Sequence, residues 1–245
     1  MIISPTGLLR FLLHAILPVH CAQCTQSLWD DPIPFFCRAC WKTITPFDGP
    51  RCPRCSRPFS SPIALRHSPF HQCGPCRDKP PAYTKAWGLY PYQSPLKEAI
   101  HLFKYHGKVS LARPLATLMC QAFLHPPNID YIIPIPLHPH RLREREYNQS
   151  LLLADPISRH LKTPVLCHTL VRTRPTPPQT TLSRSTRLKN LRHAFHINYP
   201  SRIDGQRILL IDDVLTTGTT VNECAKVLRK FGAADVYVST LARMV

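Results

Sequence analysis

The chain has 245 residues, 44% of them hydrophobic and 18% charged, a balance that suits a folded globular protein and excludes wholesale disorder. Its formal net charge of +17 and pI of about 9.8 favour anionic partners: nucleic acid, phosphorylated metabolites or an acidic membrane surface. The most apolar segment, GLLRFLLHAILPV at Gly7–Val19, contains Arg10, His14 and Pro18 and is too short to span a bilayer.

No small-residue cleavage site follows that segment, and Cys21 opens a cysteine array whose spacing suits metal binding in a reducing compartment. The first twenty residues are therefore expected to form a short amphipathic helix packed on a cytoplasmic protein. Peripheral membrane contact is the competing reading.

Residues 1–80 hold eight of the eleven cysteines, many prolines and little sustained periodicity, the marks of a small module that needs staples. Four C-x2-C pairs occur: Cys21 and Cys24, Cys37 and Cys40, Cys52 and Cys55, Cys73 and Cys76. Two residues between thiolates let a tight knuckle present both sulfurs to one ion, and two knuckles complete a tetrahedral zinc site. Taken in order, the pairs enclose spacers of twelve and seventeen residues, which predicts two structural zinc sites; an interleaved pairing is the alternative. Two filled sites would change the net charge by about −4, to about +13, so the basic character survives. Trp29, Phe35, Phe36 and Trp41 lie among the knuckles and either fill the small core or stack on bases. Cys120, Cys167 and Cys224 sit in apolar patterns and read as core residues.

From Pro81 to the end, residues 81–245, apolar runs alternate with helical patterns. Lys85–Tyr90 reads as a strand, Pro95–Tyr105 and Leu111–Leu124 as helices, Tyr131–Pro134 as a strand and Asn148–His160 as a helix. Pro164–Leu170 and Arg207–Ile211 then read as strands, Thr219–Phe231 as a helix and Asp235–Leu241 as a last strand. The alternation predicts an α/β fold with a mostly parallel sheet and flanking helices. The long irregular stretch Arg172–Asn190 is either a functional loop or a solvated excursion.

ILLIDDVLTTGTT, Ile208–Thr220, carries the chemistry. Four aliphatic residues without a polar face predict a strand covered on both sides, delivering Asp212 and Asp213 to its carboxyl end, where open α/β sheets bind ligands. Thr216, Thr217, Gly218, Thr219 and Thr220 lead into the next helix, where a tight turn, helix amides and hydroxyls make an anion cradle. Acids suit sugar hydroxyls or a magnesium-bound sugar, and the cradle suits a phosphate, so a ribose 5-phosphate satisfies both. A triphosphatase reading fails, since no G-x4-G-K-[ST] loop is present.

The same thirteen residues resemble the phosphoribosyl pyrophosphate (PRPP) motif of type I phosphoribosyltransferases. With LFKYHGK at Leu102–Lys108, IIPIPLHPHRLREREYNQ at Ile132–Gln149 and TPPQTTLSRSTRLKNLRHAF at Thr176–Phe195, nearly the whole chain resembles the ComF family, which includes GntX-like proteins: a double zinc ribbon followed by a type I phosphoribosyltransferase-like domain. One departure is Glu146, where the family often has glycine. The resemblance implies that Asp212 and Asp213 hold the ribose hydroxyls and that Val214, Leu215 and Thr216–Thr220 complete the PRPP site, with magnesium. It places pyrophosphate at the loop Pro136–Arg145, with Arg141, Arg143 and Arg145 as its partners, and a mobile lid at Arg172–Asn190, with Gln179, Arg187 and Asn190 the most family-like positions. Residues 137–192 carry eleven Lys or Arg against three acids, and arginines that neutralise a departing pyrophosphate need no protein nucleophile. Two functions follow: a phosphoribosyltransferase acting in natural competence, DNA uptake or use of DNA-derived nucleobases, or a non-catalytic PRPP sensor associated with single-stranded DNA or DNA-uptake proteins.

Overall fold

The computed structural model describes residues 19–61, 63, 68–123, 125–173 and 194–244. The expected N-terminal helix and the lid residues Gln179, Arg187 and Asn190 lie outside them. Packing divides the chain into two compact units, one from Met1–Thr45 with Gln93–Leu111, the other from Pro46–Tyr92 with Ala112–Val245. Among the described residues no helix is long and apolar enough to cross a membrane.

In the first unit, helix α1 (Arg38–Lys42) follows directly on Cys37, which caps it by accepting from the Cys40 amide. Phe36 is fully buried and meets Trp41 at 5.5 Å between ring centroids; Trp29 is 54% exposed. The aromatics therefore divide, Phe36 filling the core and Trp29 facing outward. The unit's longer helix, α3 (Leu96–Tyr105), buries Leu96, Ala99, Ile100 and Phe103, the i, i+3, i+4, i+7 spacing of an amphipathic helix.

The second unit contains the short helix α2 (Gly74–Asp78) and a four-stranded parallel sheet in the order β1-β6-β5-β2: β1 (Lys85–Pro91), β6 (Asp235–Arg243), β5 (Arg207–Leu215) and β2 (Tyr131–Pro134). Helices α4 (Ala112–Ala122), α6 (Gln149–Leu161) and α7 (Thr219–Lys230) each bury one apolar stripe; in α7 it is Val221, Cys224, Ala225 and Leu228. Ile208–Ile211 have no solvent exposure, as a central strand covered on both faces requires. Each such side chain contributes about 1.5–3 kcal/mol by leaving water.

Three segments differ from the sequence reading. β5 runs to Leu215 rather than stopping at Ile211, because β6 pairs with it as far as Leu215 opposite Arg243. Pro164–Leu170 does not form one strand: Val165 makes a single parallel bridge to Ile132, and only β3 (Leu170–Arg172) is extended, pairing antiparallel with β4 (Phe195–Ile197). Pro136–Arg145 is largely helical, as α5 (Pro139–Arg145), with His138 capping it from the β region and Pro139 at its first position.

At the sheet's amino edge, Arg207 grips Asp130 through Nε at 3.0 Å and Nη2 at 2.8 Å, and its amide adds a third bond at 2.8 Å. These bonds hold the Asp130 carboxyl at about 2, below the usual 3.8. A carboxylate with a depressed pKa stabilises the fold above its unfolded value and loses that contribution as pH falls through the folded value. Acid unfolding followed by circular dichroism should show Asp130→Asn removing part of the stability lost between about pH 4 and 2, with the two proteins converging at the acid end.

Candidate functional site

The structure resolves the cysteine pairing as sequential. Cys21, Cys24, Cys37 and Cys40 form one cluster and Cys52, Cys55, Cys73 and Cys76 another, each with its sulfurs within 4.8 Å of one another. Cys24 and Cys37 are 3.7 Å apart, Cys55 and Cys73 3.6 Å. Zinc–sulfur bonds of about 2.3 Å at tetrahedral angles put sulfurs roughly 3.8 Å apart, so both clusters fit structural zinc.

The two knuckles repeat bond for bond. Thr25 and Ser56 take positive φ of 60 and 57 and donate their amides to Cys21 and Cys52 at 2.9 Å; the amides of Cys37 and Cys73 donate to the sulfurs of Cys21 and Cys52 at 3.4 Å. Burial separates them. All four sulfurs of the second cluster are on buried residues, whereas Cys24 is exposed and Cys40 half-buried. The Cys55 and Cys76 thiols hydrogen-bond to Cys52 and hold it well below the usual thiol range, while those bonds push Cys76 far above it. Four such sulfurs can ionise together only around a cation. Elemental analysis of the purified protein should return two zinc ions per chain; one or none would refute two filled sites.

Asp212 and Asp213 lie within β5, so their side chains leave on opposite faces. Asp213 is 5% exposed, and Asp212 is the more accessible. Asp212 accepts from the Ser150 hydroxyl at 3.1 Å and from the Asp213 amide at 3.0 Å. Ser150 is in place because Asn148 caps α6 by accepting the Ser150 amide, and donates to the Ile135 carbonyl just past β2. Val214 and Leu215 finish the strand, and Thr216 and Thr217 form the turn. Gly218, φ 76, caps α7 without a side-chain bond; a left-handed conformation at this cap is one glycine takes without steric cost. Thr217 and Thr219 link their hydroxyls at 2.8 Å, and Asn222 donates its amide to the Gly218 carbonyl at 2.9 Å. Thr216, Gly218, Thr219 and Thr220 are partly exposed, at the amino end of a twelve-residue helix whose dipole favours anions.

The helical form of α5 sorts the three arginines. Arg141 and Arg145 are one turn apart and half-buried, whereas Arg143 is exposed two positions from each. Arg141 also lies 3.8 Å from Glu144. Glu146 closes α5 at φ 65, a left-handed conformation that costs a residue with a Cβ about 1 kcal/mol and glycine none. Glu146→Gly should therefore raise the melting temperature by about 2–4 °C in calorimetry, with no gain if the site is unstrained.

Arg172, which no motif marks, joins these residues. It ends β3 with its guanidinium 5.6 Å from the centre of the Phe195 ring. Burial lowers its pKa, and the thiol of Cys224, Arg141 and Asp212 are all within electrostatic reach. Tyr83, equally unmarked, is 4% exposed, and its hydroxyl lies 3.7 Å from where a Cβ on Gly218 would be. A cleft of about 820 Å³ between α4 and α6, lined by Arg113, Thr117, Cys120, Pro156, Arg159 and His160, contains none of the predicted site residues.

An acid pair at the carboxyl edge of a parallel sheet, followed by a glycine-capped helix, defines a phosphoribosyl transferase type of domain, and the family description of that name matches residues 148–243. A double zinc ribbon domain matches residues 12–77. The chain is 35% identical over 213 residues to the DNA utilization protein YhgH of Shigella flexneri, covering 84% of this chain and 89% of that one. It is 35% identical over 218 residues to competence protein F of Haemophilus influenzae, covering 84% and 90%. Among solved structures, adenine phosphoribosyltransferase from Thermoanaerobacter pseudethanolicus aligns with 57% of this chain and 83% of its own at 15% identity and a TM-score of 0.37. The chain belongs to the ComF family, with a double zinc ribbon and a phosphoribosyltransferase domain.

Proposed function

We propose that this protein binds PRPP with magnesium and transfers its phosphoribosyl group to a nitrogen acceptor, in the cytoplasm, as part of the use of DNA or its nucleobases. The observation that carries this reading is the continuity of β5, turn and α7, which brings the Asp212 carboxylate and the Gly218 cap of a helix onto one stretch of seven residues. Asp212 and Asp213 would hold the ribose hydroxyls, the amides and hydroxyls of Thr216–Thr220 the 5-phosphate, and Arg141 and Arg145 the pyrophosphate, with Arg143 a weaker partner because it is exposed on another side of α5. Arg172 adds positive charge beside Asp212. Gln179, Arg187 and Asn190 are proposed as lid residues that exclude water from a cation-like sugar.

Magnesium fits the partly exposed carboxylate of Asp212, an oxygen donor of the kind it prefers, and would offset charge on the departing pyrophosphate. The chain's residues orient the ligand: the cradle fixes one end, the acids the ring, and the arginines the leaving group, so no protein nucleophile is required. The names of the relatives, DNA utilization protein and competence protein, support the biological setting. Eight cysteines gathered into two clusters that fit zinc, rather than paired as disulfides, support a reducing compartment.

A second reading, PRPP binding without turnover by a factor associated with single-stranded DNA, draws support from the net charge of +17 and from Trp29, 54% exposed beside the first zinc cluster. Titration calorimetry with PRPP separates the site from the reaction. Binding should require magnesium, and Asp212→Asn with Asp213→Asn should weaken it about 100-fold or more, two charge-assisted contacts being lost, while zinc content and circular dichroism stay unchanged. Equal binding by the double variant would sink the site assignment; binding without release of pyrophosphate in the presence of nucleobases would favour the second reading.

A further inference from the structure

One short stretch of chain joins the second cysteine cluster to the turn at Thr216–Thr220. The knuckle holds Pro81–Ala86 from one side: the Ala86 amide donates to the Arg54 carbonyl at 2.9 Å, the Ser56 hydroxyl to the Ala86 carbonyl at 2.6 Å, and Arg54 Nη2 to the Pro81 carbonyl at 2.9 Å. Helix α7 holds the same stretch from the other side, through the Ala82 amide donating to Asn222 Oδ1 at 2.7 Å. Between these grips stands Tyr83, buried, its hydroxyl against Gly218.

A second link runs through Arg243. It is 4% exposed, donates Nη1 to the Cys55 carbonyl at 2.7 Å, and pairs in register with Leu215, the residue that opens the turn. The Met244 amide donates to the Leu215 carbonyl at 3.0 Å. Arg243 Nε is buried without a partner, and no carboxylate pairs with this guanidinium among the described residues. A buried cation needs an opposite charge nearby, and four thiolates around one zinc ion carry a formal net charge of about −2. The same four cysteines belong to the apolar core that contains Tyr83, Leu215 and Val221.

We propose that zinc in the Cys52, Cys55, Cys73 and Cys76 site positions the phosphate loop, with Tyr83, Asn222 and Arg243 as the positioning residues, whereas the first zinc site has no such role. This rests on Thr216–Thr220 being the phosphate cradle. Loss of the second zinc releases the knuckle, then Pro81–Ala86, and with it the support beneath Gly218. The first zinc, held by an exposed Cys24 and a half-buried Cys40, can leave without touching any of these bonds.

The test uses the full chain, zinc analysis, titration with ribose 5-phosphate, and amide hydrogen exchange across residues 216–220. Tyr83→Ala and Asn222→Ala should each keep two zinc ions, bind ribose 5-phosphate about tenfold more weakly and exchange faster across the loop, while Tyr83→Phe, which keeps the buried ring and loses only the hydroxyl that meets Gly218, should change both by less than Tyr83→Ala does. Graded chelation of the wild type should leave binding and exchange unchanged as the first zinc departs and change both with the second. Unaltered loop exchange in both alanine variants, or after removal of both zinc ions, overturns the proposal. If Thr217→Val with Thr219→Val leaves ribose 5-phosphate binding intact, the cradle reading fails instead; the exchange rates need no ligand and still decide the zinc coupling.

Discussion

Two carboxylates can ride on a strand whose preceding four residues are fully buried only if the backbone beneath them stays paired and the side chains reach an edge or a partner. The pairing of β6 with β5 meets that condition as far as Leu215 and Arg243. Because the ladder continues past the acids, Asp212 and Asp213 are held at fixed heights, and the turn begins from a defined point. Ser150 and the Asp213 amide then both donate to one oxygen of Asp212, Oδ1, which stiffens the carboxylate while leaving it accessible. The same ladder brings Arg243 beside the turn, so one hydrogen-bonding constraint sets the acids, the start of the turn and the link to the second cysteine cluster.

The two knuckle modules share a hydrogen-bonding pattern but not an environment. A module of some thirty residues cannot bury enough apolar surface to fold alone and leans on a metal. The first does so within its own small unit, around Phe36. The second shares the sheet's core, where its cysteines pack with Tyr83, Ala86 and Val238. Ser56 shows how far the sharing goes: its hydroxyl bonds a carbonyl of β1, so the residue that closes the knuckle also fixes the start of the sheet.

Much of this was legible in the residues because it depends on short-range pattern. The C-x2-C spacing, the aliphatic run of β5 and the stripes of α4, α6 and α7 are each set by neighbours within a few positions. The cysteine pairing, open between sequential and interleaved, needed three dimensions. So did the length of β5, which depends on a partner strand twenty-eight residues onward in register, and the helical state of Pro139–Arg145, where a proline at the first position and a histidine cap outweigh three like charges. Arg172 and Tyr83 carry no motif; they matter because β3 and the Pro81–Ala86 stretch deliver them to residues 40 and 135 positions away, Asp212 and Gly218.

The positive charge of the site is assembled from separate elements, and this has a cost in the free protein. Arg141 and Arg172 repel one another, and burial lowers the pKa of Arg172 further. Asp212 offsets part of that repulsion, but it is shared with Ser150 and with the Asp213 amide. A ligand with phosphate groups near α5 and at the α7 cap would relieve the repulsion that the fold sustains, adding charge-assisted bonds where like charges now face one another. The strained Glu146 belongs to the same balance: it ends α5 so that the chain can turn at once into the Asn148 cap of α6, keeping the arginine helix and the Ser150 that supports Asp212 only five residues apart.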